Sequence, residues 1–84
     1  MDLLSLRNEI NRIDGELTEL LLERFELAKN VARYKKANGV PVFDAEREQE
    51  ILDKAQDDGG KELKAVYSAI LEASKNIQND IIGK

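Results

Sequence analysis

The apolar residues at the start of the chain recur with a helical period. The steps between them alternate between three and four positions, at Leu3, Leu6, Ile10, Ile13, Leu17 and Leu20. This pattern predicts one very long helix over about residues 2–37. Asp2 is a suitable N-cap for it, and Asn38-Gly39 is a suitable end.

Two shorter helices are expected after it. Asp44 is a second candidate N-cap and Gly59-Gly60 is a break, which predicts a helix over about residues 44–58. A further apolar stripe predicts a third helix over about residues 61–81, with Leu63, Val66, Ile70, Ile77 and Ile81. No strand is indicated. We therefore expect an all-α fold with three helices per chain, and a single domain over residues 1–84.

The length of the first helix predicts a dimer. A helix of some 36 residues is about 54 Å long, which exceeds the size of a compact monomer of 84 residues. The remainder of the chain is too short to cover the whole apolar stripe. We therefore expect a second copy of the chain to lie along it.

Composition excludes several classes of function. The 17 acidic and 13 basic residues give a net charge of −4 without a basic run, so nucleic acid and anionic membranes are not expected partners. The N-terminal stretch does not resemble a signal peptide. The chain has no cysteine and no histidine, which excludes thiol and imidazole chemistry. We expect a cytoplasmic protein without metal or cofactor.

Charged residues interrupt the apolar face of the long helix. Arg24 occupies a position where the register of the stripe requires an apolar residue. Lys35 lies within about 20° of the same face, whereas Arg7 lies about 100° away from Arg24 around the axis. One pocket beside this helix could use Arg24 and Lys35, and a second copy of the helix could supply Arg7.

Polar residues also occur on the faces of the other two helices that should be buried. Glu48 shares a face with the apolar residues of the second helix, Asp44 precedes it by one turn, and Arg47 lies at the border of that face. On the third helix, Ser74 and Gln78 are one turn apart and point in the same direction. Each helix therefore contributes polar groups to the interior.

Two explanations fit these inward charges. Arg24 or Lys35 could pair with Glu48 or Asp44 in internal salt bridges, and for any one residue this explanation is favoured. Taken together, however, the three cations Arg24, Lys35 and an Arg7 from a second copy outnumber the one or two carboxylates. The surplus of positive charge is costly to bury without a ligand. The ligand indicated is a small polyanion, most simply a dicarboxylate.

Two long segments of the chain resemble a known family. They are LLSLRNEINRIDGELTELLLERFELAKNVARYKK and PVFDAEREQEIL, followed by a serine and a glutamine one turn apart. Together they resemble the all-helical (AroQ-class) chorismate mutases over nearly the whole chain. The loop at residues 57–60 looks short for this family, and no fused dehydratase, dehydrogenase or synthase domain is expected.

The resemblance implies a homodimer of intertwined chains and a role for each inward residue. Arg7 would enter the site from the partner subunit and clamp substrate carboxylates together with Arg24. Lys35 and Gln78 would donate hydrogen bonds to the ether oxygen, and Glu48 would hold the ring hydroxyl with the backbone near Asp44. The resemblance assigns substrate binding to eight positions, namely Arg7, Arg24, Lys35, Asp44, Arg47, Glu48, Ser74 and Gln78.

The implied reaction is the rearrangement of chorismate to prephenate in phenylalanine and tyrosine biosynthesis. It is a one-step pericyclic shift without acid, base, nucleophile or cofactor, which agrees with a chain that lacks histidine and cysteine. Two alternatives stay open. One is isochorismate-pyruvate lyase, which has a similar fold, and the other is a helical dimerisation module without catalytic activity.

Overall fold

The computed structural model describes residues 2–83 of the chain. They form two helices, α1 (Leu3–Asn38) and α2 (Ala45–Ile82), and no strand occurs among them. The expected all-α class is therefore confirmed for this part of the chain. Neither helix is long and apolar enough to cross a membrane.

The ends of α1 are fixed by its caps. The Asp2 side chain accepts a hydrogen bond of 2.7 Å from the backbone N–H of Ser5, and this bond lowers the pKa of the Asp2 carboxyl. At the other end Gly39 adopts the left-handed conformation, with φ of 65°, and donates its N–H to the Lys35 carbonyl. The helix therefore covers the length that its apolar stripe predicts.

The expected count of three helices is wrong, because the second and third predicted helices are one element, α2. Gly60 has non-helical backbone angles inside it, with φ of 73° and ψ of −161°, a region that is open almost only to glycine. Gly59 is constrained as well, since a Cβ there would lie 2.7 Å from the Cβ of Leu63. The two glycines form a kink where the sequence predicts a break.

The kink folds α2 back on itself. Glu48 and Lys75 are 27 positions apart, yet their side chains are 3.3 Å apart, whereas a straight helix would separate them by about 40 Å. The residues before Gly60 are called here the first arm of α2, and those after it the second arm. Both arms pack beside the C-terminal half of α1.

The buried core is small and lies entirely in this packed region. Its apolar members are Ala28, Ala32, Ala55 and Leu71, and small residues let the helices approach closely. In contrast, the N-terminal half of α1 extends beyond α2 and is exposed throughout. The leucines and isoleucines of the apolar stripe from Leu3 to Leu20 are 42% to 62% exposed. Residues 2–83 of one chain do not cover this stripe.

Candidate active site

One cavity of about 330 Å³ lies between α1 and the two arms of α2. Its walls are part apolar and part charged. The lining residues are Arg24, Leu27, Ala28, Val31, Lys35, Val42, Asp44, Arg47, Glu48, Ile51, Leu71, Ser74, Lys75 and Gln78. Seven of the eight positions that the sequence predicts for substrate binding are therefore brought together around one cavity.

Arg24 lies on the face of α1 that packs against the second arm of α2. Its Nη1 donates a hydrogen bond of 2.7 Å to the Oγ of Ser74, and the Ser74 side chain is buried. Because a hydroxyl orients a guanidinium but carries no charge, this contact does not neutralise Arg24. The remaining N–H groups of the guanidinium can donate to a ligand.

Lys35 occupies the last turn of α1 and holds the connection to α2. Its Nζ donates a hydrogen bond of 2.9 Å to the carbonyl oxygen of Val42, while its own carbonyl accepts from Gly39 and Val40. The ammonium is therefore held against the cavity by a neutral acceptor. Two of its three donors stay available.

Three predicted residues surround the start of α2. Asp44 is its N-cap, and its Oδ1 accepts from the backbone N–H of Arg47 at 3.0 Å. The Arg47 guanidinium points outward to Glu50, at 3.4 Å, and both side chains are exposed. The Glu48 carboxylate turns inward and contacts Lys75 on the second arm. The structure therefore brings Glu48 into the cavity wall and leaves the Arg47 charge at its rim.

The predicted pair on the second arm, Ser74 and Gln78, faces the same cavity. Gln78 has a buried Oε1 atom that finds no hydrogen-bond partner among residues 2–83. A buried amide oxygen without a partner costs free energy, and no hydrogen bond within residues 2–83 offsets this cost for Gln78. The orientation of such an amide is set by its hydrogen bonds, and a ligand would supply them.

Arg7 is the predicted site residue that lies away from the cavity. It lies in the exposed N-terminal half of α1 and does not line the cavity. Seventeen positions separate it from Arg24, which is about 25 Å along a helix axis. An arginine side chain cannot bridge that distance within one chain.

The internal salt bridges that the sequence allowed are not formed by Arg24 and Lys35. Within residues 2–83, neither cation has a carboxylate oxygen within 4.0 Å, and the one inward carboxylate pair joins Glu48 to Lys75 instead. The cavity therefore keeps two cations whose charge is not compensated by a direct partner in this part of the chain.

Sequence reasoning missed Lys75. A signal for it was present, because Lys75 comes three positions before Gln78 and four after Leu71, and residues at those spacings share a helix face. The apolar stripe that predicts this helix, from Leu63 to Ile81, does not include position 75, so the stripe alone did not indicate Lys75.

Comparison with family models and with known proteins shows the family of this chain. The family model described as chorismate mutase type II matches residues 6–79. The chain is 36% identical to a bifunctional chorismate mutase/prephenate dehydratase of Buchnera aphidicola subsp. Schizaphis graminum, over 99% of this chain and 23% of that protein. It is 39% identical to the protein of the same name from Aquifex aeolicus, over 96% and 22%. No solved structure gives a significant match.

A shorter relative carries a single activity in its name. The chorismate mutase of Methanocaldococcus jannaschii is 42% identical over 62% of this chain and 52% of its own length. The chain therefore spans less than a quarter of the bifunctional relatives and about half of this one.

Proposed function

Because the chain belongs to the chorismate mutase type II family, we propose that it converts chorismate into prephenate, a step of aromatic amino acid biosynthesis. The names of its relatives in Aquifex and Methanocaldococcus support this reaction. We propose that residues 1–84 form one chorismate mutase domain. Its cytoplasmic location stays a prediction.

The observation that carries the proposal is the uncompensated charge of the cavity. Arg24 and Lys35 are held by the Ser74 hydroxyl and the Val42 carbonyl, and no carboxylate of residues 2–83 pairs with either cation. Partly buried cations of this kind favour an anionic ligand. Chorismate carries two carboxylates, so it matches the charge that the cavity lacks.

The reaction needs no group that titrates in the site. In a single concerted step the ether C–O bond of chorismate breaks while a C–C bond forms between the enolpyruvyl side chain and the ring. No proton is transferred. The protein has to hold the side chain over the ring in a near-attack arrangement and to stabilise the negative charge that develops on the ether oxygen.

The residues of the cavity suit these two tasks. We propose that Arg24 holds a substrate carboxylate through its fork of donors, while Lys35 and Gln78 donate hydrogen bonds to the ether oxygen. Gln78 lines the same cavity, and a turn of its amide by about 180° would replace the unpartnered Oε1 with the Nε2 donor that this role needs. Glu48 would hold the ring hydroxyl together with the backbone near Asp44, and Arg47 would turn from Glu50 toward the ligand at the rim.

We further propose that the active form is a homodimer in which Arg7 completes the partner's site. Two observations support it. The stripe from Leu3 to Leu20 is exposed in one chain, which favours a second copy along α1. In addition, Arg7 is too far from the cavity of its own chain to reach it.

The experiment is to incubate the purified protein with chorismate, to follow the loss of its ultraviolet absorbance and to identify the product. Prephenate formation that is lost in Lys35→Ala would support the proposal. Pyruvate release from isochorismate, without turnover of chorismate, would indicate the lyase instead. No turnover of either, and no thermal stabilisation by a dicarboxylate ligand, would indicate a non-catalytic module.

A further inference from the structure

Lys75 forms an ion pair across the two arms of α2. Its Nζ lies 3.3 Å from the Oε1 of Glu48, and the side chains are 34% and 21% exposed. The other ion pairs of residues 2–83 join positions three or four apart on the same helix and are more exposed. The Glu48–Lys75 pair is therefore the one that ties separate parts of the fold together at the cavity.

The position of the Lys75 ammonium is restricted from a second side. Its Nζ lies 5.1 Å from the centroid of the Phe43 ring, within the range of a cation–π contact. Phe43 belongs to the segment that connects α1 to α2, just before Asp44. Three parts of the chain, namely that segment and both arms of α2, therefore fix where the ammonium stands.

The Glu48–Lys75 pair also affects whether the charges of Arg24 and Lys35 stay uncompensated. Glu48, Arg24 and Lys35 line the same cavity, and an inward carboxylate without a partner would be attracted to the nearest free cation. A Glu48 that turned to Arg24 or Lys35 would neutralise the charge that a dicarboxylate has to meet. Lys75, on the second arm of α2, gives the carboxylate another partner at 3.3 Å.

We propose that Lys75 is a positioning residue, which orients the Glu48 carboxylate for the ring hydroxyl of the substrate and keeps it away from Arg24 and Lys35. The inference rests on the proposed function, because it acts through the role of Glu48 in substrate binding. Lys75 itself need not touch the substrate.

The test is a double-mutant cycle with steady-state turnover of chorismate. We expect Lys75→Met to lower kcat/KM roughly tenfold, as for loss of a charge-assisted hydrogen bond, and Lys75→Arg, which keeps the charge, to recover most of this loss. Glu48→Gln removes the charge that Lys75 holds. In that background Lys75→Met should change kcat/KM by less than about twofold.

Matched controls separate this role from a structural one. Lys54→Met removes the exposed ion pair with Asp58 on the same helix, and it should leave kcat/KM unchanged. Thermal unfolding of each variant checks that the fold is kept. If Lys75→Met does not fold, Lys75→Gln, which keeps a donor but no charge, takes its place in the cycle with the same expectation.

The possible failures are distinct. If the wild-type protein does not turn over chorismate, the proposed function is overturned and the role of Lys75 with it. A second failure is a wild type that is active while Lys75→Met lowers kcat/KM by the same factor in the wild-type and the Glu48→Gln backgrounds. In that case Lys75 acts independently of Glu48. That result, or no rescue by arginine, would overturn the positioning role alone.

Discussion

Two inactive variants of the chain should restore activity when they are mixed. The perturbations are Arg7→Ala and Arg24→Ala, made in separate preparations. In the proposed homodimer, each variant then lacks one of the two arginines in both sites. We expect each variant alone to lose at least ~10²-fold in turnover, as for loss of a preorganised charge donor.

The reason is the geometry of α1. Arg24 lines the cavity of its own chain, while Arg7 lies seventeen positions earlier, which is about 25 Å along the axis and about 100° around it. A site that uses both arginines must therefore take them from different chains. In a mixed dimer, one site combines the Arg24 of one chain with the Arg7 of the other.

The size of the recovery follows from counting sites. With random pairing, about half of the dimers are mixed and each has one complete site of two, so about a quarter of all sites are restored. The other site of each mixed dimer lacks both arginines. An equal mixture should therefore reach about a quarter of wild-type turnover per chain.

The assay labels one variant with ¹⁵N, mixes the two variants under conditions that exchange subunits, demonstrates the mixed dimers by their intermediate mass, and then measures turnover of chorismate. Arg12→Ala is the matched control, because it removes an arginine of the same half of α1 that pairs with Glu16 at the surface. It should be active before and after mixing. If mixed dimers form and no activity returns, the two arginines do not share a site between chains.

Three further predictions test the site and the fold. Arg24→Ala and Lys35→Ala should each lose at least ~10²-fold in kcat while circular dichroism stays unchanged; full activity in either would remove that residue from the site. Gln78→Glu should be more active at acid than at neutral pH, because only a protonated carboxyl can donate to the ether oxygen; a flat profile of kcat/KM between about pH 4 and pH 8 would contradict this role. Gly60→Ala should lower the free energy of unfolding in urea by about 1–3 kcal/mol, because φ there is 73°. Gly15→Ala, at a helical site with open space, should raise it by up to about 1 kcal/mol, so equal shifts would refute the difference in backbone strain.

The sequence patterns predicted most of the helical structure, and the wrong helix count, which arises at Gly60, has a physical cause. Two adjacent glycines predict a break, and the backbone of Gly60 does leave the helical region. Whether such a break becomes an open loop or a tight kink depends on how closely the flanking turns pack. The approach of Leu63 to Gly59 is a tertiary contact, and helical periodicity does not contain it.

The candidate site was also predictable from the sequence only in part. The register of α1 identified Arg24 and Lys35 as inward cations, because an apolar stripe interrupted by charge is visible in one dimension. Their partners were not predictable in this way. Ser74 is fifty positions from Arg24, and Lys75 meets Glu48 only because α2 folds back. The residue that pairs with an inward charge depends on how the chain folds, whereas the presence of an inward charge can be predicted from the sequence.

The neutral partners of the two cations connect the structure to the chemistry. A carboxylate beside Arg24 or Lys35 would have to be displaced whenever a dicarboxylate bound, and that displacement would cost part of the binding energy. The Ser74 hydroxyl and the Val42 carbonyl orient the same cations without cancelling their charge. The donors are thereby arranged in advance of any ligand, and the proposed pericyclic reaction, which would exchange no proton with the protein, requires little else from its site than such prearranged charge and shape.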